Sequence, residues 1–182
     1  MTSIVVFAIG SIPIVWLSRW SLLSPTSHGF SRFFAFEAIL ALIVLNAPHW
    51  FDNAFGVQQV LSWLLLFISI VLVVWGVILL RRLGRPRPTA DGSPVFEWEN
   101  TESLVTTGIY RYIRHPMYSS LLFLAWGSLL KSVSIMTFVL AVIASLAIAA
   151  TARAEEAENV AQFGQDYQEY MRRTRRFVPF LL

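Results

Sequence analysis

The chain has 182 residues, 56% of them hydrophobic and only 14% charged, with a mean hydropathy of +0.61. A soluble domain carries roughly 25% charged residues, so this composition excludes an ordinary soluble protein, and the length allows one domain spanning 1–182. The lack of cysteine excludes disulfides, Fe–S clusters and thiolate catalysis, and a net charge of +3 is too small to mark a nucleic-acid partner.

Apolar runs at about 3–23, 32–48, 58–80, 116–131 and 133–152 predict five transmembrane helices, because a helix needs roughly 20 apolar residues to cross a bilayer. The expected fold class is an all-α integral membrane protein with a C-terminal cytoplasmic amphipathic helix. Residues 1–57 hold two N-terminal helices without a motif, and 58–182 form the core. The first run is too long for a signal-peptide core and reads as a retained helix, kinked at Pro13. Trp16, Trp20, Trp50, Phe51 and Trp63 read as interface aromatics. Glu37, more than a turn inside the second helix, is an ionisable group in a span and so a functional candidate, or a side chain snorkelling to the surface. His28 and His49 fall in loops and receive no role.

All of the 14 Lys and Arg residues except Lys131 fall on one side when the N-terminus is placed outside. The positive-inside rule then puts the C-terminus in the cytoplasm. The expected location is multi-pass in the cell inner membrane. The fourth segment, at about 22 Å from Pro116 to Leu130, is shorter than the roughly 30 Å hydrocarbon core. It turns near Lys131–Ser132 into a tight hairpin with the fifth.

A long polar stretch, Arg81–His115, separates the third and fourth helices. It contains Pro86, Pro88, Gly92, Pro94, Glu97, Glu99 and Glu102. A loop this long is commonly functional or disordered. It ends in the densest chemistry of the chain, LVTTGIYRYIRHPMY, Leu104 to Tyr118. Pro116 suits the first position of a helix. The start of that helix offers unsatisfied N–H groups and a positive dipole end to an anion. Arg111 and Arg114 share a face if this part is helical. Tyr110, Tyr112 and Tyr118 can flank a base or a cation. The plainer alternative is an aromatic belt with positive-inside arginines.

Arg153, Glu155 and Glu156 lie at the cytoplasmic end of the fifth helix, which the hairpin must bring back towards Pro116. Adjacent carboxylates beside a helix C-terminus are unfavourable unless paired, which suits a ligand with a cationic group. If the helix continues to Met171, the pair is instead a solvated face. Beyond it, Val160, Phe163, Tyr167, Tyr170 and Met171 recur at helical spacing as an apolar stripe, followed by Arg172, Arg173, Arg175 and Arg176. This reads as a helix lying along the membrane, with arginines on lipid headgroups. No histidine pair has metal-ligand spacing, so no metal is expected. A ligand with a carboxylate, an ammonium and an aromatic base fits the two halves; S-adenosylmethionine is one, and NADPH would call on Arg85, Arg87 and Arg111.

The motifs G-x-Y-x-x-x-R-H-P-x-Y (Gly108–Tyr118) and E-E-x-x-x-x-x-x-F-G-x-x-Y-x-x-Y (Glu155–Tyr170) resemble those of the isoprenylcysteine carboxyl methyltransferase and phospholipid methyltransferase group of membrane enzymes. The resemblance covers roughly Val60 to Phe180. It implies a five-helix fold and transfer of a methyl group from S-adenosylmethionine to a lipophilic acceptor, with membrane lipids as partners. Carried over, Glu102, Ser103, Leu104, Val105 and Tyr110 line the cofactor, and His115, Pro116, Met117 and Tyr118 close its other side. Glu155 holds the amino group with Glu156 in support. Arg153 and Arg114 are the cations placed for the acceptor. Ser119–Ser120 departs from a glycine found in relatives, and the Arg85–Trp98 insertion matches no motif. Trp75, Gly76, Trp126 and Gly127 suggest a lateral passage for the lipid. Two other functions stand beside this one: an NADPH-dependent membrane reductase of sterol-reductase-like architecture, and a lipid-binding scaffold without enzymatic activity.

Overall fold

The computed structural model describes residues 2–85 and 100–179. Arg87, Glu97, Glu99, most of the Arg85–Trp98 insertion and the chain end from Phe180 lie outside the described residues. The chain forms six α-helices there: α1 (Thr2–Leu22), α2 (His28–Asn46), α3 (Val57–Leu83), α4 (Pro116–Leu129), α5 (Ile135–Phe163) and α6 (Gln165–Arg173). Two short 3₁₀ turns, Ala47–His49 and Gly108–Arg111, join them, and a single isolated bridge, Ile113 to Arg175, is the sole β pairing among the described residues.

Four of the helices, α1, α2, α3 and α5, are long and apolar enough to cross a membrane. At 14 residues, α4 spans only about 21 Å, as its sequence anticipates. The boundaries differ from the apolar runs where capping decides them. Ser27 caps α2 by accepting from the Gly29 N–H at 3.1 Å, which starts the helix at His28, expected in a loop, and buries both His28 and Arg32 on α2. Ser134 and Thr137 form a reciprocal capping box at the start of α5. Pro13 lies inside α1, which continues unbroken to Leu22.

The helices do not stack in chain order. α2 packs against α1 on one side and α5 on the other, and α4 joins α2, α3 and α5. The two N-terminal helices are thus continuous with the core. The contacts are made by small residues: Ala35, Ala38, Ala125, Ala141, Ala144 and Ala152 are buried. In a bilayer, close backbone approach of this kind replaces the hydrophobic drive that water would supply. Hydrogen bonds tie the helices crosswise. Ser62 donates to the Gly127 carbonyl at 2.7 Å, Ser69 to Ser120 at 2.8 Å and Asn46 to Ser128 at 2.6 Å; each such bond contributes roughly 0.6–2 kcal/mol. Ser11 donates to Glu37 at 2.7 Å, which joins α1 to α2. Large apolar side chains such as Ile9, Phe67, Ile70 and Leu146 point outward, as lipid-facing positions require.

Gly76 and Gly127, read as flanking a passage, are packing positions instead. A Cβ on Gly76 would sit 3.3 Å from the Pro116 side chain, and one on Gly127 would sit 3.0 Å from Leu66. The space next to both glycines is filled by the α3–α4 interface. At the far end of the bundle, Lys131 is buried. Its ammonium donates to Gln59 at 3.0 Å and lies 3.5 Å over the Trp63 ring, so Trp63 caps a cation as well as facing the interface.

Candidate functional site

The end of the bundle opposite Lys131 gathers the termini of α3, α4 and α5 with α6. Three local features shape it. Gly108 has φ +61°, and its missing side chain lets Leu79 of α3 approach to 2.6 Å of a Cβ position, seating the Gly108–Arg111 turn on α3. Pro116 starts α4 after His115, whose φ of −122° and ψ of 64° break the helical path. Gly164 has φ +60° and ψ −130°, a conformation essentially restricted to glycine. It ends α5 and folds α6 back over the cleft. The carboxylate pair therefore sits within α5, about two turns from its end, and not on one helix running to Met171.

The cleft so formed is partly open to solvent and has a cavity volume of about 60 Å³. One wall is Leu104, Val105 and Tyr110; another is Arg114, His115, Pro116, Met117 and Tyr118; Glu155 faces them from α5. Eight of the expected cofactor positions are in this lining, and the structure brings together residues about 40 apart in the chain. Glu102, Ser103 and Glu156 are not in the lining. Glu102 and Ser103 pair through backbone with the end of α3, at Arg85 (3.2 Å) and Gly84 (3.1 Å). Their neighbour Thr101 reaches the cleft in their place, held by Gln162 donating to its carbonyl at 2.7 Å. Arg153 is exposed on α5 and also outside the lining.

Glu156 is engaged inside the protein. It is buried, accepts from Arg114 Nε at 2.8 Å, and takes a two-pronged bond from Arg176, at 3.1 and 2.5 Å. Arg114 reaches further, donating to the carbonyls of Met171 (3.1 Å) and Thr174 (2.6 Å). One guanidinium thus joins the start of α4, α5 and the end of α6. Glu156 in turn holds Arg176 firmly charged. His115 lies between the two carboxylates, Nδ1 3.6 Å from Glu155 and Nε2 3.4 Å from Glu156. Its ring stacks on Tyr118, with centroids 5.3 Å apart and planes inclined by 21°. Glu155 keeps about a quarter of its side chain accessible, 26%, against 6% for Glu156. It is the carboxylate that an arriving ligand can meet.

Several lining residues came from a stripe that reads in the sequence as a membrane-facing helix surface. Phe163, Tyr167 and Tyr170 line the cleft with Leu80 and Asn159. Tyr167 and Tyr170 are buried, and the Tyr170 hydroxyl donates to the Tyr110 carbonyl at 2.7 Å. Burial pushes both phenols well above the usual tyrosine range, and for Tyr167 the Glu155 charge adds to the effect. The signal was in the sequence: three aromatics at i, i+4 and i+7, Phe163, Tyr167 and Tyr170. Their destination was not, because a stripe cannot say whether lipid or protein covers it.

Ser119 was read as a departure in packing. It is fully buried and donates to the Phe177 carbonyl at 2.7 Å, with His115 as a second acceptor at 2.9 Å. It pins the C-terminal strap, residues 174–179, onto α4. Backbone bonds from Arg114 to Arg175 (2.8 Å) and from His115 to Arg176 (3.1 Å) finish the attachment. His28, given no role, bonds Glu158 of α5 at 2.6 Å. It fixes the α2–α5 contact below the site.

These features define a multi-pass helical membrane protein with a polar, aromatic-walled cleft at one end of its bundle. A profile of the family described as Phospholipid methyltransferase matches residues 57–166, more than half of the chain, and the chain belongs to that family. The match begins where α3 begins and ends in α6, so it takes in the whole cleft except the last tyrosines and the strap. No curated protein and no solved structure matches the chain.

Proposed function

We propose that the protein transfers a methyl group from S-adenosylmethionine to a lipophilic acceptor at the cytoplasmic membrane surface, with five membrane crossings that include the short α4. The observation that carries this reading is the position of Glu155. Its accessible carboxylate faces His115 and the first turn of α4 across a cleft walled by tyrosines. A ligand bridging the two sides needs an ammonium for Glu155 and an anionic group for the helix start, whose first N–H groups have no intrahelical acceptor. Aromatic rings suit an adenine and a sulfonium. The family assignment favours the same chemistry.

The residues then divide into three groups. Glu155 takes the amino group. Leu104, Val105, Tyr110, Pro116, Met117 and Tyr118 enclose the rest, with Tyr167, Tyr170 and Phe163 as the lid-side wall. Glu102 and Ser103 hold the first wall through their backbone, and Glu156 acts by fixing Arg114 and Arg176. His115 sits at the junction and orders both carboxylates. Arg114 and Arg153 are the two cations assigned to the acceptor. Arg114 shapes the site, and exposed Arg153 is the one left for an acceptor's anionic headgroup.

S-adenosylmethionine supplies an electrophilic methyl on a sulfonium, which leaves as a neutral thioether. The protein's part is to hold acceptor and methyl in line and to keep water out, an effect that can supply about 7–11 kcal/mol of the barrier. An amine acceptor must also lose a proton, and His115 and Glu155 are the cleft groups that can pass it to solvent.

Calorimetry on the purified protein in detergent tests the reading. S-adenosylmethionine should bind and NADPH should not, and folded Glu155→Gln should bind at least 10-fold more weakly. Binding of NADPH alone would replace this reading with the reductase. Absence of either, with labelled S-adenosylmethionine giving no labelled lipid in membranes, would leave a lipid-binding scaffold.

A further inference from the structure

The C-terminal strap separates two cavities of opposite character. On one side, Arg172, Arg173, Thr174, Arg175 and Pro179 line a cavity of about 260 Å³ together with Arg111 and Tyr112. On the other, Phe177 and Val178 close a groove of about 370 Å³ with Leu65, Leu122, Phe123 and Trp126, and the exposed lining of that groove is entirely apolar.

The basic side gathers several arginines on one concave surface. Arg114, Arg173 and Arg176 have carboxylate partners. Arg111, Arg172 and Arg175 have none among the described residues, are exposed, and share one concavity. Three guanidiniums around one hollow repel each other unless an anion sits among them, and their forked donors match a phosphate. The groove side runs along α4 from Ser119 to Trp126, about 10 Å at 1.5 Å per residue. It opens beside the exposed Trp126 ring of α4. A phosphate site and an apolar groove lined by neighbouring residues of one short strap suit the two halves of one phospholipid.

We propose that the strap holds an anionic phospholipid, with its phosphate among Arg111, Arg172 and Arg175 and one acyl chain in the Phe177–Trp126 groove. This lipid is distinct from the methyl acceptor, and the inference stands whether or not the chain transfers methyl groups. Its effect on the cleft follows from the strap's other attachments. Arg176 bonds Glu156, and the Phe177 ring lies 6.3 Å from that of His115, so a lipid that immobilises the strap also immobilises the cleft wall.

The test is lipid retention by the full chain, read by native mass spectrometry. Protein in detergent is mixed with equal phosphatidylcholine and phosphatidylglycerol and then washed. The wild type should keep one phosphatidylglycerol. Arg111→Gln/Arg172→Gln/Arg175→Gln should lose it by on the order of 100-fold, while the corresponding triple lysine variant and Arg81→Gln/Arg82→Gln keep it. Should the triple glutamine variant not fold, single Arg175→Gln, at an exposed position, carries the same comparison with a smaller loss. Equal retention of the two lipids by the wild type, or undiminished retention by the glutamine variants, overturns the proposal. Displacement of the lipid by excess inorganic phosphate would also overturn it, since it would mark a free-anion site that needs no acyl chain.

Discussion

Arg114 and Glu156 meet at 2.8 Å with 8% and 6% of their side chains accessible, and each has further partners on the chain's C-terminal end. The pair is the joint on which the cleft is built. Arg114 precedes α4 by two residues and Glu156 belongs to α5; between them they fasten α6 and the strap. The α4, α5 and α6 sides of the cleft are thus tied together by one buried charge pair.

Removing Glu156 leaves buried Arg114 without a carboxylate, which costs about 3–5 kcal/mol, whereas removing Arg114 leaves Glu156 its two bonds from Arg176. Glu156→Ala should lower the thermal unfolding midpoint in detergent by a large amount, and Arg114→Ala by less, because Arg176 still holds Glu156. Arg114→Met/Glu156→Leu should recover much of the loss. A double variant as unstable as the sum of the singles would show that the two residues act independently.

Glu155, next in the chain and facing the other way, should behave differently. Glu155→Gln removes a charge that is partly solvated, so the unfolding midpoint should barely change. The loss should appear in ligand affinity, on the order of 10–100-fold for a charge-assisted contact. Calorimetry and thermal unfolding on the same preparation separate the two residues. Equal destabilisation at both positions would contradict the assignment.

Gly164 offers a test of the α5–α6 break. Nothing lies within 4 Å of a Cβ placed there, so Gly164→Ala meets no clash, only the strain of its φ of +60°. That strain costs about 1–3 kcal/mol. The easiest relief is for α5 to run on into α6, which would carry Tyr167 and Tyr170 out of the cleft. The expected result is weaker S-adenosylmethionine binding with a small loss of stability. Unchanged binding would mean that α6 keeps its seat without the glycine.

The two buried tyrosines set an alkaline limit. Their phenols in the folded protein lie above the ordinary value of 10.0. A raised folded value gives stability that is complete below about pH 10 and is lost as the pH climbs past it, because the unfolded chain releases the proton first. Unfolding midpoints from pH 8 to pH 11.5 should fall above pH 10. The fall should be shallower in Tyr167→Phe/Tyr170→Phe, although that variant starts lower for want of the hydrogen bond to Tyr110. Parallel curves for variant and wild type would remove these phenols as the cause.

Ser119→Ala should loosen the strap. It leaves the buried Phe177 carbonyl without its donor, a cost of about 1–3 kcal/mol. Proteolysis at the arginine-rich segment 172–176 should then accelerate, and an unaltered cleavage rate would mean that the backbone bonds to Arg114 and His115 suffice.

By itself the sequence determined the membrane class, five apolar segments of which the fourth is short, and the return of Glu155 and Glu156 towards Pro116. These rest on local properties. Hydropathy over 20 residues, a proline that can start a helix, and two motifs on either side of a tight hairpin all fix near neighbours. Only the tertiary structure decided that Glu156 is spent on Arg114 and Arg176 while Glu155 stays accessible, that the Phe163–Tyr170 stripe faces the cleft, and that Gly76 and Gly127 are filled by Pro116 and Leu66. Those choices depend on α6 folding back at Gly164 and on α2 lying against α5. Two adjacent glutamates look alike in a sequence. A rotation of about 100° between successive residues on a helix sends one to the ligand side and the other into the protein, and only packing sets which is which.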